Sequence, residues 1–215
     1  MSSKIDIHRI YRVLFKIFRK KRMTRFESLF NLSGSTTIVD VGGDQYNWKF
    51  LRCRPLVTVI NLHKPKEWDE SLENFSYKDG DATQMEFSNS SFDVAFSNSV
   101  IEHLGNWENQ KSMAKEICRV GRSVYVQTPA REFFFEPHVL TPFIHWLPML
   151  WQSKLMRNFT VWGILTRPTQ KYVDGFLAER RLLSFDEFQE LFPDCRIARE
   201  RFFFLTKSYI AIRKI

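Results

Sequence analysis

Residues 36–43, Thr-Thr-Ile-Val-Asp-Val-Gly-Gly, decide the fold that this sequence predicts. The β-branched and apolar run is typical of a buried strand, and the glycine pair indicates a tight turn directly after it. Similar runs follow at 56–62 and 92–97, and a shorter one lies at 75–77. Continuous apolar strands of this kind occur in parallel sheets that are covered on both faces.

Helical spacing separates or follows these strands. Residues 107–119 carry apolar side chains at helical intervals, residues 123–128 follow as a strand, and 184–191 open with a Ser-x-x-Glu capping box. Two short apolar segments, 202–205 and 209–212, predict a closing strand pair or one bent hairpin. We therefore expect an α/β fold, a three-layer doubly wound sheet of mostly parallel strands.

The chain divides into four predicted ranges. Residues 1–30 form a basic amphipathic helical segment, with helical spacing across residues 5–22. Residues 31–128 form the first half of the sheet domain, and 184–215 supply its last helix and closing strands. Between them, 129–183 break the alternation of strands and helices and are rich in aromatic residues and proline, which indicates an inserted cap.

The net charge of +8 belongs to one end of the chain. Residues 1–25 hold nine basic residues and one acid, whereas the other 190 residues balance 23 basic with 23 acidic residues. A generally basic nucleic-acid surface is therefore disfavoured. Two interpretations remain for the basic segment: a solvated helix face on the domain, or peripheral contact with an anionic membrane.

The cysteines and the hydropathy indicate a location. Cys53, Cys118 and Cys195 are widely separated and odd in number, as expected in a reducing compartment. The sequence contains no stretch of about 18 apolar residues, so we expect no membrane-spanning helix. The prediction is a cytoplasmic protein, either soluble or peripheral at the inner membrane face.

Three motifs fall where the carboxyl ends of the predicted strands meet, the edge at which open α/β sheets bind ligands. They are residues 38–43, 80–83 and 91–104. In this order and spacing they resemble class I S-adenosylmethionine-dependent methyltransferases with a type 11-like domain. Trp48 and Asn61 are similar to a Trp and an Asn that follow Asp-Val-Gly-Gly in a bacterial subgroup acting on small molecules and glycans.

The resemblance covers residues 36–128, resumes at 184–213, and implies the fold, the cofactor and a set of roles. The fold is a Rossmann-like sheet of seven strands whose last hairpin inserts one antiparallel strand, and the cofactor is S-adenosylmethionine. The residues matched to the family's cofactor contacts are Asp40, Gly42, Gly43, Asn61, Asp81, Ala82 and Asn98.

Two of these positions depart from the family pattern. The family's loop usually runs Gly-x-Gly-x-Gly, and only its first glycine, Gly42, is kept. The ribose is usually held by an acid at the end of the second strand, where this chain has Asn61. An amide accepts and donates hydrogen bonds without charge assistance, which predicts weaker or differently arranged cofactor binding.

Histidines supply the candidate catalytic bases. His103, His138 and His145 titrate near neutral pH in unperturbed form, and His138 with Glu136 follows the fifth strand, near the methyl end of the predicted pocket. We expect His138 to act as base or substrate ligand, with Glu136 and His103 beside it. We expect no metal, because Ser99 replaces the first residue of the family's metal-binding Glu-x-x-Glu-His pattern and leaves three candidate ligands.

The predicted activity is O-methylation of a small or lipid-linked acceptor such as a glycan precursor. The aromatic residues of the 129–183 cap suit an acceptor with apolar or stacking faces. Two alternatives stay open at this point. The broken glycine loop and Asn61 suit a non-catalytic binding module of the same fold, and the basic segment suits an RNA methyltransferase with a basic arm.

Overall fold

A computed structural model describes residues 16–215 of the chain. The strands are β1 (Thr37–Val41), β2 (Leu56–Asn61), β3 (Phe75–Asp79), β4 (Phe92–Asn98), β5 (Gly121–Pro129), β6 (Phe135–Glu136), β7 (Thr141–Pro142), β8 (Arg196–Phe202) and β9 (Leu205–Arg213). The helices are α1 (Lys16–Phe30), α2 (Trp107–Val120), α3 (Met149–Phe159), α4 (Val161–Thr166), α5 (Gln170–Ala178) and α6 (Phe185–Leu191).

Seven strands form one sheet in the order β3-β2-β1-β4-β5-β9-β8, and β6 and β7 form a separate pair. Pairings from β3 through β5 are parallel, whereas β9 pairs antiparallel with both β5 and β8. The predicted doubly wound sheet with one inserted antiparallel strand is therefore confirmed. Strand order reverses between β1 and β4, which places a ligand crevice at the carboxyl ends of these two strands.

The closing strands form a hairpin whose first strand begins earlier than predicted. The segment 202–205 spans its tip: Phe202 ends β8 (Arg196–Phe202), residues 203–204 form the turn, and Leu205 begins β9. β8 is the outer strand of the sheet, and four of its seven residues are charged. Charged side chains protect such an edge from further pairing, and they removed the apolar pattern by which the strand was sought.

Helix α1 belongs to the body of the domain. The predicted helix ended at residue 22, but α1 continues to Phe30 and ends where Asn31 adopts a left-handed φ of 49°. The predicted residues 5–15 lie outside the described part of the chain. Phe26 is fully buried, with its ring centroid 4.9 Å from those of both Phe96 and Tyr125. The C-terminal half of α1 thus covers one face of the sheet.

Three apolar clusters hold the layers together. One lies between the sheet, α2 and α6, a second lies between the sheet and α1, and the third is the interior of the cap around Met156 and Trp162. Ser184 caps α6 through the predicted capping box with Glu187. The range 129–183 contains β6, β7 and α3 to α5. Within residues 16–215, no helix is long and apolar enough to cross a bilayer.

Candidate functional site

A cavity of about 550 Å³ opens at the carboxyl ends of β1, β4 and β5, between the sheet and the cap. Its size is in the range of about 300–1,000 Å³ that is usual for small-molecule pockets. Of the predicted site residues, seven line it: Gly42, Gly43, Asn61, Asn98, His103, Glu136 and His138. The sequence-predicted residues from four separate strands therefore meet at one place.

Asp40 lies at the end of β1, buried beneath the glycine loop. Its Oδ2 accepts a hydrogen bond of 2.7 Å from Nε1 of Trp48, and among residues 16–215 its Oδ1 has no partner. Burial raises the pKa of Asp40 to about 8, against the opposing hydrogen bond from Trp48. A buried carboxyl with an unused oxygen beside a cavity is able to receive a donor from a ligand, directly or through water.

The two glycines bring the backbone close to its surroundings. Gly42 has a φ of +76°, and a Cβ there would lie 2.5 Å from Cγ1 of Val100. A Cβ on Gly43 would collide with the carboxylate of Asp40. The loop therefore admits no side chain at either position, which leaves backbone exposed to the cavity.

Asn61 ends β2 and faces the same wall of the cavity. Its Nδ2 donates a 3.3 Å hydrogen bond to the carbonyl of Gly43, so the amide also supports the loop. Asp81 and Ala82 are not in the lining of this cavity. Asp81 is exposed, and its Oδ1 accepts hydrogen bonds from the backbone N–H and the hydroxyl of Thr83, at 2.7 and 2.8 Å.

Arg22 of α1 reaches the opposite side of the cavity and is almost fully buried. Its guanidinium donates to Oδ1 of Asn98 and, at 2.9 Å, to Oε1 of Gln127. It also forms a two-pronged ion pair with Glu200 of β8, at 2.6 and 3.3 Å. One side chain thus connects α1 with β4, β5 and β8.

Lys207 adds a second basic group to this side of the cavity, with Nζ 3.3 Å from Glu200. Burial lowers the pKa of Lys207 to about 8, although Glu200 opposes that change. Burial would raise the pKa of Glu200, but the charges of Arg22 and Lys207 outweigh it and hold the pKa below its ordinary value.

Glu136 and His138 form a hydrogen-bonded pair on the cap side. Nδ1 of His138 lies 2.7 Å from Oε1 of Glu136, and the backbone N–H of His138 donates to the same oxygen at 3.0 Å. Arg180 pairs with this oxygen at 2.7 Å. Burial would raise the pKa of Glu136, but Arg180 and His138 outweigh it and lower that pKa strongly. Nδ1 of His138 also lies 3.0 Å from a guanidinium nitrogen of Arg180. A hydrogen bond to Glu136 requires the proton on Nδ1, whereas one from Arg180 requires a lone pair on that atom.

His103 stands against His138, with ring centroids 4.9 Å apart. Burial lowers the pKa of His103 to about 3, with further contributions from His138 and Arg180, so this ring is neutral. Glu102, His103 and His138 offer ligand atoms that all lie within 4.8 Å of one another. Although the sequence predicted no metal, these three side chains form a group of potential metal ligands. One of them, His138, lies beside the positive charge of Arg180.

Sequence reasoning missed Arg22 as a pocket residue and did not identify Gln127, Arg180 or Lys207. Arg22 stood in a run of four basic residues that predicted a solvated or membrane-facing surface, and only its burial distinguishes it from Lys20 and Lys21. Arg180 comes from the cap, far along the sequence from Glu136. Lys207 stands between Thr206 and Ser208, and nothing in this local sequence distinguishes it from a surface lysine.

We predict that Asp40→Asn raises the melting temperature at pH 8. The rise is about 2–4 °C for each kcal/mol by which the free energy of unfolding increases. The folded state holds the Asp40 proton more tightly than the unfolded chain, so stability is highest below the ordinary pKa of the carboxyl and declines as the pH rises to about 8. Asparagine keeps an acceptor for Trp48 and does not ionise. Thermal denaturation from pH 4 to about 8 tests this, with the gain vanishing at the acid end.

Asp194→Asn is the control for this prediction, because Asp194 is exposed. It is expected to leave the melting temperature unchanged across the same range. An Asp40→Asn protein that melts lower than the parent at pH 8 contradicts the prediction.

Comparison with known proteins bears on the fold and the domain type. Residues 49–123 match a family model described as a methyltransferase domain. No curated protein matches the sequence.

Solved structures give the fold over the whole chain. A magnesium protoporphyrin IX methyltransferase from Synechocystis PCC 6803, with bound SAH, covers 100% of this chain and 90% of its own, at 12% identity and a TM-score of 0.59. A SAM-dependent methyltransferase from Aquifex aeolicus covers 88% of each chain at 13% identity and a TM-score of 0.53. At these identities the likeness shows that the fold is the Rossmann-like methyltransferase fold.

Proposed function

We propose that this protein is an S-adenosylmethionine-dependent methyltransferase that methylates a hydroxyl of a small or lipid-linked acceptor. One observation carries the proposal: a single cavity has the Gly42–Gly43 loop and Asn61 on one wall and His138 with Glu136 on the other. The domain match and the fold support S-adenosylmethionine as the cofactor. The hydroxyl acceptor is inferred from the histidine at the cavity wall.

The chain's residues fit this cofactor. The glycine loop offers backbone without side chains, Oδ1 of Asp40 has no partner among the described residues, and Asn61 ends β2 at the ribose position of the family. When bound, S-adenosylmethionine supplies a methyl carbon that takes the acceptor oxygen's electron pair while its C–S bond breaks, the bonding pair going to sulfur and the hydroxyl proton being released.

His138 is the residue that receives this proton. We infer that Nδ1–H of a neutral His138 donates to Glu136, which leaves the ring's lone pair on Nε2. Arg180 keeps Glu136 ionised and fixes the orientation of the pair. Glu136 and Arg180 are positioning residues, and the neutral ring of His103 packs against the base.

The remaining wall suits an acceptor with apolar or stacking faces. Phe133, Phe135, Trp162 and Phe176 line the cavity on the cap side. Aromatic rings present flat apolar faces that pack against sugar rings and prenyl chains. We infer a glycan precursor as the acceptor class, with the aromatic residues enclosing the reacting hydroxyl and excluding water.

Calorimetry with S-adenosylhomocysteine tests the cofactor assignment. The parent protein is expected to bind it, and Gly43→Ala is expected to weaken binding at least about tenfold, because the new Cβ collides with Asp40 and displaces the loop. Gly34→Ala is the matched control, since a Cβ there would meet only the carbonyl of Arg54 at 3.8 Å. A parent protein that does not bind up to millimolar ligand overturns the assignment.

A non-catalytic binding module of the same fold is the second candidate. Two polar groups favour it: the amide of Asn61 already donates to Gly43, and the carboxylate of Asp81 is engaged by Thr83. This candidate predicts that no methyl group is transferred from S-adenosylmethionine to any acceptor in a cell extract. It also predicts no exchange of the cofactor's methyl group. Binding of S-adenosylhomocysteine in the open cavity counts against it.

A further inference from the structure

Two distant segments of the chain expose large apolar side chains on the surface. The turn between β8 and β9 presents Phe203 and Phe204, whose exposed fractions are 81% and 96%. The cap adds a second group, consisting of Phe143, Trp146, Met149, Leu150 and Trp151, all more than half exposed. We call these seven residues, together with Phe202, the aromatic face.

The two groups are connected by aromatic contacts. Ring centroids are 4.8 Å apart for Phe203 and Phe202, and 6.3 Å apart for Phe202 and Phe133. The series continues from ring to ring into the cap. The centroids are 5.0 Å apart for Phe133 and Phe134, 5.9 Å for Phe134 and Phe143, and 5.2 Å for Phe143 and Trp146. The two exposed groups are therefore joined by ring contacts that pass through the buried Phe133. Large exposed apolar groups that lie together on a soluble protein commonly mark an interaction surface.

Two residues of the aromatic face occupy backbone conformations that are unfavourable for bulky side chains. Phe143 and Phe203 both lie in the left-handed region, with φ of 60° and 51°. Bulky residues are rare there, and glycine or asparagine would hold the same turns with less strain. Strained positions that keep an unfavourable side chain are typical of functional surfaces.

The segments that carry the aromatic face contain basic but no acidic residues. Residues 137–173 hold four basic residues, and 201–207 hold two. Helix α1 adjoins the face through Phe18, whose ring lies 5.9 Å from that of Phe202, and it exposes Lys16, Lys20 and Lys21. Exposed Phe, Trp and Leu surrounded by Lys and Arg are the composition of surfaces that enter the headgroup region of anionic bilayers.

We propose that the aromatic face seats the protein on an anionic lipid bilayer, with the cavity opening toward the lipid surface. Phe18, Phe133 and Lys207 line the cavity, and Phe18 and Phe133 also contact Phe202. The sequence-based expectation placed membrane contact in residues 1–25. In this proposal the apolar anchors are the β8–β9 turn and the cap, and α1 supplies charge.

Orientation on the bilayer deepens the proposed function by selecting an acceptor class. A hydroxyl on a lipid-linked molecule would reach His138 without the protein leaving the membrane, whereas a water-soluble acceptor has no need of such a surface. This consequence rests on the proposed function, but the membrane contact itself does not.

Vesicle flotation of the full chain tests the membrane contact. Binding is expected to vesicles of phosphatidylcholine with about 30 mol% phosphatidylglycerol, to be weak with phosphatidylcholine alone, and to fall with added salt. The double variant Phe203→Asn/Phe204→Ser is expected to bind at least ~30-fold more weakly, because two exposed aromatic side chains no longer enter the bilayer. Asparagine suits the left-handed φ at 203, so this variant is expected to melt no lower than the parent.

Ile215→Ser is the matched control. Ile215 is highly exposed and follows the end of β9 that lies away from the β8–β9 turn, so its loss is expected to leave flotation unchanged. Equal flotation of the double variant and the parent overturns the proposal. So does the absence of flotation in a parent that forms dimers which the double variant abolishes, since the face then binds a second copy.

Calorimetry with S-adenosylhomocysteine on the same samples separates the two proposals. A protein that binds this ligand but no vesicle refutes the membrane contact alone. A protein that floats but does not bind the ligand refutes the cofactor assignment alone.

Discussion

His138→Ala is expected to lower kcat by about 10²–10⁴-fold, the usual contribution of a positioned general base. In the proposed mechanism Nε2 of this ring receives the acceptor's proton, while Glu136, itself paired with Arg180, holds the ring through Nδ1. Binding of S-adenosylhomocysteine is expected to stay unchanged, because the glycine loop and Asn61 lie on the opposite wall. Steady-state kinetics with an accepted hydroxyl substrate, alongside calorimetry, measure the two effects separately.

His63→Ala is the matched control, since His63 is exposed just after β2 and lies outside the lining of the cavity. Added imidazole is expected to restore part of the kcat of His138→Ala, which a merely structural histidine would not allow. Glu136→Gln is expected to lower kcat less, because the base remains while the preference for its tautomer is lost. A kcat that is unchanged in His138→Ala removes the histidine from the mechanism.

The central strands could be predicted from their composition. Buried parallel strands such as β1 and β4 are mostly apolar and β-branched or aromatic, and each is followed by a turn with polar or glycine residues. The start of β8 was misplaced for the converse reason. It is an edge strand with three consecutive charged residues, so the three phenylalanines at its end and in the following turn gave the stronger signal.

The cavity wall on the cofactor side was also accessible from sequence. Gly42, Gly43 and Asn61 follow strands whose ends meet at one edge, so their convergence depends only on topology. Asp81 and Ala82 follow β3 by the same rule, yet they lie outside the cavity lining. Strand order alone does not fix how far a loop at the rim turns inward, and Asp81 is turned into a local bond with Thr83.

The cationic side of the site was not predictable, because its residues come from elements without a recognisable pattern. Arg180 follows α5 in the cap, yet it meets Glu136 forty-four residues earlier in the chain. The exposure of the aromatic rings in the cap was equally unpredictable. The sequence shows how many rings there are, but only the fold distinguishes buried Trp162 from exposed Trp146 and Trp151. Long-range packing decided each case.

One residue of the basic segment, Arg22, has a structural role in the folded domain. Arg22 was grouped with its neighbours as part of a charged surface, but its side chain is 6% exposed and joins α1 to three strands of the sheet. Taking a guanidinium out of water is costly unless it is paired and hydrogen-bonded, and Glu200, Asn98 and Gln127 meet that need together. The charge of α1 is therefore partly structural, and the rest remains exposed on the surface.

We accordingly expect Arg22→Met to lower the free energy of unfolding by about 3 kcal/mol, because it leaves Glu200 charged and nearly buried with Lys207 as its remaining basic partner. The melting temperature falls by about 6–12 °C for a chain of this size. Since Arg22 holds the pKa of Glu200 below its ordinary value, this stabilisation is present above that value and is lost as the pH falls through the folded-state pKa. The difference between parent and variant therefore narrows in acid.

Arg25→Met is the control for this loss, because Arg25 is an exposed base on the same helix. It is expected to melt with the parent. The double variant Arg22→Met/Glu200→Gln is expected to recover most of the stability, since it leaves no uncompensated buried charge. Urea denaturation at pH 7 and at acid pH measures all four proteins. If Arg22→Met and Arg25→Met unfold alike, the Arg22 network adds no net stability, and α1 is held to the sheet by apolar contacts such as those of Met23 and Phe26.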